Sequence, residues 1–350
     1  MVKLLIVTPK YPPQPGGASY VFSMIAEKLA SYEYGGNYVE VLTSSQNGLP
    51  NKETRNGVRI TRLFPYYESK WSKIVHLPFT FMETLGYFLK NHNKFDVVET
   101  HTVGEICVFS QIMAKLFEKK LVKHALDMSM SKFWLKHPKA DSYINCGTVM
   151  TKRMINFGLP MDKIHEIRLP IVRIKNKTYK KTGKKIFLFI GEVSQRKGIK
   201  DLLDVMKEIT TKNFELWIVG SGPMVDDVKT AVQVDKRIKY LGLIEHDKVI
   251  ELMKKTDALV HPTYADVMPL TILEAMMMGN AIISSDIGEI RKNVSDAGLF
   301  IQSGDKTALK NAIELTLKKD LAKMKRNALK RFALYAEEDV YRRNLEAVMV

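Results

Sequence analysis

The sequence predicts an α/β protein made of two doubly wound domains, each with a parallel sheet. Short apolar segments, typical of buried strands, alternate along most of the chain with amphipathic segments, typical of helices. The alternation stops at a lysine-rich segment near the middle and starts again after it. The 350 residues fit two domains of about 150 residues, and 45% hydrophobic with 26% charged residues is a globular composition.

In the first half, a buried strand is predicted at residues 3–8. The proline- and glycine-rich loop that follows, residues 9–17, can be neither helix nor central strand. Amphipathic helices are predicted at 18–30 and 105–118. The other strand candidates are residues 39–43, 59–64, 95–101, 121–125 and 142–145.

The second half repeats the pattern. Its predicted strands are residues 186–190, 214–219, 238–241, 258–261 and 281–285, and its predicted helices are 200–209, 247–255, 270–278, 307–317 and a segment from 321 onward. Because ligands of doubly wound sheets bind beyond the carboxyl ends of the strands, we expect the functional residues in the loops there. The cleft between two such domains is the default site.

Positive charge is unevenly distributed along the chain. There are 54 lysine and arginine residues against 38 acidic residues, a net charge of +16. We predict a first domain at 1–173 with charge +9, a basic linker at 174–185 with +6, and a second domain at 186–335. Residues 336–350 are predicted as a C-terminal helix with the option of packing back on the first domain. A solvated linker explains the charge as well as an anionic partner does.

Several functional classes lack their signatures. Cys107 and Cys146 are too few for a disulfide framework, which favours a reducing, cytoplasmic location. The apolar start at residues 4–7 is too short for a signal peptide, and no uncharged apolar segment approaches the ~18 residues of a membrane span. The eight histidines show no metal-ligand spacing, and no nucleic-acid module or Walker loop is present. We expect neither a bound metal nor a nucleic-acid partner.

Residues 266–279 form the strongest candidate site. Pro269 suits the first position of a helix, where its missing N–H costs nothing. The free N–H groups around Met268–Leu270 and the helix dipole then suit a phosphate or pyrophosphate. Glu274 follows about one turn later, where a ribose would lie, and Asp266 adds a second carboxylate for sugar hydroxyls. A capping role for Asp266 and a solvated Glu274 explain the same residues.

Two more loops follow predicted strands of the second half. Gly191 and Gly198 flank adjacent cations, Arg196 and Lys197, which suit a diphosphate. A solvated Arg–Lys pair is the simpler alternative. The loop that begins at Gly220 resembles half of a dinucleotide fingerprint, but a valine stands at its third glycine and the required acidic residue is missing. This mismatch excludes a dehydrogenase.

The first half has weaker candidates at the ends of its strands. Gly16 and Gly17 would let a ligand touch the backbone after the first strand. His101 and His124 each lie at or near the carboxyl end of a strand. A lone histidine in such a place is more often structural than functional.

Two segments mix aromatic residues with lysine. They are residues 66–74, with Phe79 and Phe81 close behind, and residues 132–139. Tryptophan beside lysine at this density suits an anionic lipid interface. Ordinary packing of two helices is the slightly simpler explanation.

The order and spacing of these motifs resemble family-4 retaining glycosyltransferases of the GT-B fold, over nearly the whole chain. The motifs that carry the resemblance are Gly191…Arg196-Lys197-Gly198, Gly220-Ser-Gly-Pro223, Tyr240-Leu-Gly242, His261-Pro-Thr263 and Asp266-x7-Glu274-Ala-Met-x-x-Gly279, with residues 12–17 and 155–164 in the first half. The resemblance implies two Rossmann-like domains facing each other across a cleft. The domain at 1–173 would be on the acceptor side, and that at 186–335 would bind the nucleotide-sugar donor.

The resemblance also implies roles for individual residues. Glu274 would hold the ribose, and Asp266 would contact sugar hydroxyls. Arg196 and Lys197 would neutralise the diphosphate leaving group. The other implied donor-binding residues are Gly16, Gly17, Gly191, Gly220, Met268, Pro269 and Leu270.

The chain also departs from the family pattern. The family usually has Glu at the position of Asp266 and often Arg at that of Glu192. Its histidine near the sugar would fall at Leu126, two residues after His124, which is a shift that keeps the same face of a strand. His101 matches the family's strand-end histidine near the acceptor.

The resemblance implies a metal-independent, retaining hexosyl transfer from a nucleotide-diphospho-sugar, with UDP or GDP expected, to a glycan or lipid-linked acceptor. No other cofactor is implied. The basic first domain suits peripheral contact with an anionic, cytoplasmic membrane face. A noncatalytic nucleotide-sugar-binding partner subunit of the same fold and a sugar epimerase stay open as alternatives.

Overall fold

The chain folds into two compact units. The computed structural model describes residues 1–14, 16–46, 48–65, 70–127, 131–174, 183–336 and 339–349. The first unit comprises Met1–Pro170 together with Asp339–Val350, and the second comprises Ile171–Glu338. The boundary predicted at residue 173 therefore lies inside the second unit. Most of the predicted linker, residues 175–182, lies outside the described residues.

An eight-stranded sheet forms the centre of the first unit. Its strands are β1 (Lys3–Val7), β2 (Tyr38–Ser45), β3 (Lys52–Arg55), β4 (Val58–Pro65), β5 (Val97–His101), β6 (Lys120–Ala125), β7 (Ser142–Asn145) and β8 (Ile164–Glu166). They lie in the order β3-β4-β2-β1-β5-β6-β7-β8, and all neighbours are parallel except β3 and β4. The last four residues of β1 are buried, as expected of a strand covered on both faces.

Helices cover this sheet. They are α1 (Gly17–Ala30), α2 (Lys70–Asn91), α3 (Glu105–Leu116), α4 (Lys132–Lys136), α5 (Thr148–Asn156) and, from the end of the chain, α13 (Val340–Met349). The last helix packs against α1 and β7. Arg343 at its centre donates a hydrogen bond to the Glu166 carbonyl at 2.7 Å.

The second unit has a fully parallel six-stranded sheet. Its strands are β9 (Lys185–Ile190), β10 (Phe214–Val219), β11 (Ile238–Gly242), β12 (Ala258–His261), β13 (Ala281–Ser285) and β14 (Gly298–Ile301), in the order β11-β10-β9-β12-β13-β14. Its helices are α6 (Ile199–Glu208), α7 (Val225–Val234), α8 (His246–Lys255), α9 (Leu270–Met277), α10 (Ile290–Val294), α11 (Lys306–Lys318) and α12 (Ala322–Tyr335).

The core of the second unit packs these helices on the sheet. Phe187, Phe189 and Phe214 are buried between strands and helices together with Leu202 of α6. A fully buried side chain of this size stabilises the fold by roughly 1.5–3 kcal/mol. The strands that end at the candidate site are thereby held rigid.

The prediction of two parallel-sheet α/β domains is confirmed, and every predicted strand is present. The elements outside the predicted helices and strands are β3, β8, β14, α2, α4, α5, α7 and α10, although two packed helices were an alternative for the segments at α2 and α4. β3 reads Lys-Glu-Thr-Arg, a charged edge strand with no apolar alternation, and pairs antiparallel with β4. α2 has Pro78 in its interior, which in sequence argues against a helix.

In each sheet, the strand order reverses at one point, which is where doubly wound sheets bind their ligands. From β9 the chain adds β10 and β11 on one side, and then β12 to β14 on the other. The loops after β9 and β12 therefore lie side by side, at the point where such sheets bind ligands. In the first unit, β1 lies between β2 and β5 and forms the equivalent point.

Candidate functional site

The loops after β9 and β12 are packed directly on each other. The Tyr264 N–H donates to the Arg196 carbonyl at 2.9 Å. Gly198 has φ +74°, and a Cβ there would lie 2.0 Å from the Pro262 carbonyl oxygen. This glycine is thus required by the contact between the two loops and would be so without any ligand.

Lys197 and Asp266 form the centre of the site. The Lys197 ammonium donates to both Asp266 carboxylate oxygens, at 2.9 and 2.7 Å. Thr263 Oγ1 donates to the same carboxylate at 2.8 Å, and His261 Nε2 lies 3.1 Å from it. Burial opposes ionisation of Asp266, but His261 and Lys197 outweigh it and hold the pKa of this carboxyl well below its usual range. Asp266 therefore anchors Lys197 as a charged carboxylate, and its implied contact with sugar hydroxyls stays a prediction.

Arg196 lies at the edge of the same loop and is half-exposed. Its guanidinium donates to the Ala265 carbonyl at 3.1 Å and to the Glu192 carboxylate at 3.3 Å. Glu192, the residue that departs from the family pattern, is thus the partner of Arg196. Each of the two expected cations faces a carboxylate, so the four side chains together carry no net charge.

The helix after the second loop begins at Leu270, as the predicted range 270–278 has it. Pro269 precedes α9 in an extended conformation, and it is therefore the residue before the helix and not its first helical residue. No side chain caps this helix start, which leaves the first N–H groups of α9 available to an anion. Met268 and Leu270 are buried beside it. The methionines at 276–278 are buried as well, in agreement with their interpretation as core packing.

Glu274 is buried in the second turn of α9 and pairs with a residue that the sequence did not indicate. Its Oε1 lies 2.5 Å from His246 Nε2, at the start of α8. Burial lowers the pKa of His246, but Glu274 and then Asp247 outweigh burial, so that the pKa is raised above 6.5. Glu274 is therefore a paired, oriented carboxylate and not a solvated one.

Two glycines of the predicted donor site lie against each other. Gly220 has φ +134°, and a Cβ on it would lie 1.8 Å from the Gly191 carbonyl oxygen. A Cβ on Gly191 would meet nothing within 4 Å. Loop packing therefore explains Gly220, while Gly191 keeps open space beside it.

In the first unit, Gly16 and Gly17 begin α1. Gly17 is the first helical residue, and a Cβ on it would meet nothing within 4 Å. Gly16 has φ +154°, and no side chain caps the helix. The helix start suits an anion, and the predicted contact of a ligand with the backbone at Gly16 and Gly17 stays a prediction.

His101 and His124 are brought together by the sheet. They are register partners on β5 and β6, and the Phe22 ring packs edge-on against both. His124 Nδ1 lies 2.7 Å from Glu99 Oε1, a contact between two buried residues that the sequence did not suggest. Burial and, less strongly, His124 lower the pKa of His101 to about 4, which keeps this imidazole neutral near pH 7.

Of the two aromatic and lysine-rich segments, only the second has side chains that the structure describes. Residues 66–69 lie outside the described residues, as do the side chains of 70–74. In the second segment, α4 exposes Phe133 and Trp134, whose rings contact each other edge-on at 5.0 Å.

In the described part of the chain, no three His, Cys, Asp or Glu side chains converge as a metal site. Metal independence itself stays a prediction.

Residues 171–334, which make up nearly the whole second unit, match the family model of glycosyl transferases group 1. An uncharacterised glycosyltransferase of Methanocaldococcus jannaschii is 26% identical over 322 residues, 82% of this chain and 81% of the relative. A D-rhamnosyltransferase of Pseudomonas aeruginosa is 24% identical over 68% of this chain and 62% of its own length.

Solved structures with the same fold cover almost the whole chain. Sucrose-phosphate synthase from Thermosynechococcus elongatus superposes with a TM-score of 0.78 at 18% identity, over 99% of this chain and 98% of that one. The Anabaena protein HepE, in complex with UDP-glucose, gives a TM-score of 0.76 at 16% identity, over 100% and 99%. At these identities the likeness shows the fold alone, and that fold is GT-B.

Proposed function

We propose that this chain is a group 1 glycosyltransferase, because residues 171–334 match the model of that family, and that it transfers a sugar from a UDP- or GDP-linked donor to a glycan or lipid-linked acceptor with retention of anomeric configuration. The observation that carries this proposal is the bond from Lys197 to Asp266, four residues before α9 begins. A fixed cation and an uncapped helix start at the switch point of a sheet suit a diphosphate. The UDP-glucose complex of Anabaena HepE, a protein of the same fold, supports a nucleotide-sugar donor.

The difficult step is the departure of the diphosphate from the anomeric carbon, because negative charge grows on the leaving oxygen. A lysine ammonium has three N–H donors, and Lys197 uses two of them on Asp266. The third is left for a phosphate oxygen. Since Asp266 already holds the ammonium in position, no reorganisation is needed when the charge develops.

Donor choice and metal independence are tested together. We expect one UDP- or GDP-sugar from a panel that also contains ADP- and dTDP-sugars to bind in calorimetry. At a hundredfold excess over its Kd, it should raise the free energy of unfolding by about 2.7 kcal/mol. We also expect transfer to proceed unchanged in excess EDTA, because Lys197 and the start of α9 supply the positive charge that a metal would.

Other outcomes have defined meanings. Loss of transfer in EDTA that Mg²⁺ or Mn²⁺ restores would contradict metal independence. Donor binding without transfer or hydrolysis over any acceptor would support the noncatalytic subunit. Conversion of the donor with no acceptor present would support an epimerase. The anomeric configuration of the product, read by NMR, tests retention.

We further propose that the first unit contacts an anionic lipid surface. Among the described residues, none of the helices combines the length and apolar character that crossing a membrane requires. On α2, however, Val75, Phe79, Met82 and Leu89 are each at least 60% exposed, at spacings that place them on one helical face. Phe133 of α4 is 59% exposed, and residues 1–173 carry a net charge of +9. Exposed apolar side chains on a basic unit suit a lipid interface.

Liposome co-sedimentation tests this surface. We expect the protein to pellet with vesicles containing anionic phosphatidylglycerol at physiological salt, and not with pure phosphatidylcholine. The variants Phe79→Ser/Met82→Ser and Phe133→Ser/Trp134→Ser should each weaken pelleting about tenfold, since each removes two exposed apolar side chains that would enter the lipid interface. Val234→Ser, which changes an exposed apolar residue of the second unit, is the matched control. If the unmodified protein does not pellet, the proposed lipid contact is wrong and the positive charge serves solubility.

A further inference from the structure

We propose that His246 is a positioning residue of the donor site, which holds the Glu274 carboxylate through one oxygen while the other receives a ribose hydroxyl. This inference rests on the proposed role of Glu274. Neither the motifs of the sequence nor the resemblance points to His246. It is the contact between two helices that assigns it.

The contact joins the first residue of α8 to the second turn of α9. His246 Nε2 and Glu274 Oε1 are 2.5 Å apart, and α8 packs on α9. Glu274 is the one charged residue of α9, and it is 4% exposed. The contact with His246 is made by Oε1, and we assign Oε2 to the ribose hydroxyl.

A carboxylate in this place needs a partner. Removing an ionised group from water without a compensating hydrogen bond is strongly unfavourable. His246 supplies that hydrogen bond, and it restricts the rotation of the carboxylate about its side-chain torsions. An oriented acceptor binds a hydroxyl with less loss of conformational entropy than a mobile one.

His246 also adjusts the charge at this point. The charged groups that face it are Glu274 on α9 and Asp247 beside it on α8, and both favour the imidazolium over the neutral ring. In the protonated form, His246 balances Glu274 near a ligand that is itself anionic. Nucleotide binding should therefore favour the protonated ring, and affinity should fall as pH rises through the pKa of His246.

Calorimetric titrations with UDP, and with GDP in parallel, at pH values from 6 to 9 test this inference. In the unmodified protein we expect the Kd to rise about tenfold over this range, the effect of one pKa unit of linkage. His246→Gln keeps an N–H donor at the position of Nε2 but does not titrate. The rise of Kd with pH that His246 causes should therefore be absent from its profile. His246→Ala should bind weakly at every pH. Both variants should raise donor KM far more than they lower kcat.

His92→Gln, a histidine change in the first unit, is the matched control and should keep the original profile. The nucleotide itself ionises in the same way with every variant, so its contribution to the pH dependence of Kd cancels when the profiles are compared. A His246→Gln profile equal to that of the unmodified protein, or a His246→Ala protein with unchanged Kd, would overturn the inference. If instead Glu274→Ala binds UDP and GDP normally, the proposed role of Glu274 fails, and the two failures are distinguished.

Discussion

Replacing Lys197 with alanine is expected to slow sugar transfer by about 30- to 1000-fold, which corresponds to about 2–4 kcal/mol of transition-state stabilisation. The Lys197 side chain is 13% exposed and Asp266 holds its ammonium at 2.7 Å, so its charge acts in a partly desolvated site. Since the diphosphate gains charge as it leaves, the loss should fall mainly on kcat. Initial rates at saturating donor measure the effect.

The Lys197→Ala change also leaves Asp266 without its cation, which could weaken the fold as well as the reaction. The double variant Lys197→Ala/Asp266→Asn removes that unpaired charge, and it should melt closer to the unmodified protein while staying as slow. Lys207→Ala, at an exposed lysine of α6, is the matched control and should leave the rate unchanged. If a folded Lys197→Ala variant turns over at nearly the rate of the unmodified protein, Lys197 is not part of the catalytic site.

Replacing Glu274 with alanine is expected to reduce kcat/KM for the donor by a similar amount, about 2–4 kcal/mol. The reason differs from that for Lys197. A ribose is bound in the ground state as well as in the transition state, so the loss should appear in donor KM and in the Kd of the free nucleotide. Calorimetry with UDP and GDP measures the Kd of the nucleotide, and steady-state kinetics measures donor KM and kcat.

Glu274→Gln keeps the shape of the side chain and tests the charge alone, because an amide oxygen still accepts a hydrogen bond. Its effect should be smaller than that of alanine. Glu208→Ala, at an exposed carboxylate of α6, is the control for a lost acidic residue in the same unit. An unchanged donor KM in Glu274→Ala, with the melting temperature preserved, would show that the ribose is held elsewhere.

The candidate site was predicted unevenly. Lys197 and Glu274 could be proposed from the sequence because each lies next to a strand end or a helix start that apolar periodicity had already located. His246 and Glu99 were not found, since each acts through a partner more than twenty residues away in sequence. His261 was part of a recognised motif, but its contact with Asp266 depends on how the loop after β12 folds back.

The structure adds partners to two residues of the candidate site. The Gly191 carbonyl fills the space beside Gly220, for which the resemblance implies donor binding. Asp266, for which the resemblance implies contacts with sugar hydroxyls, accepts hydrogen bonds from Lys197 and Thr263. The implied roles of both residues stay predictions, and the sequence did not indicate these partners.

The alternation of apolar and amphipathic segments was sufficient to predict two parallel sheets, and it placed the candidate residues in the loops at the carboxyl ends of the strands. That information is local, because the period of a strand or helix is written in consecutive residues. Tertiary packing alone decided that Lys197 faces Asp266 and that Glu274 faces His246. Such pairs depend on separations near 3 Å between atoms on different loops and helices, and no spacing along the chain specifies those distances.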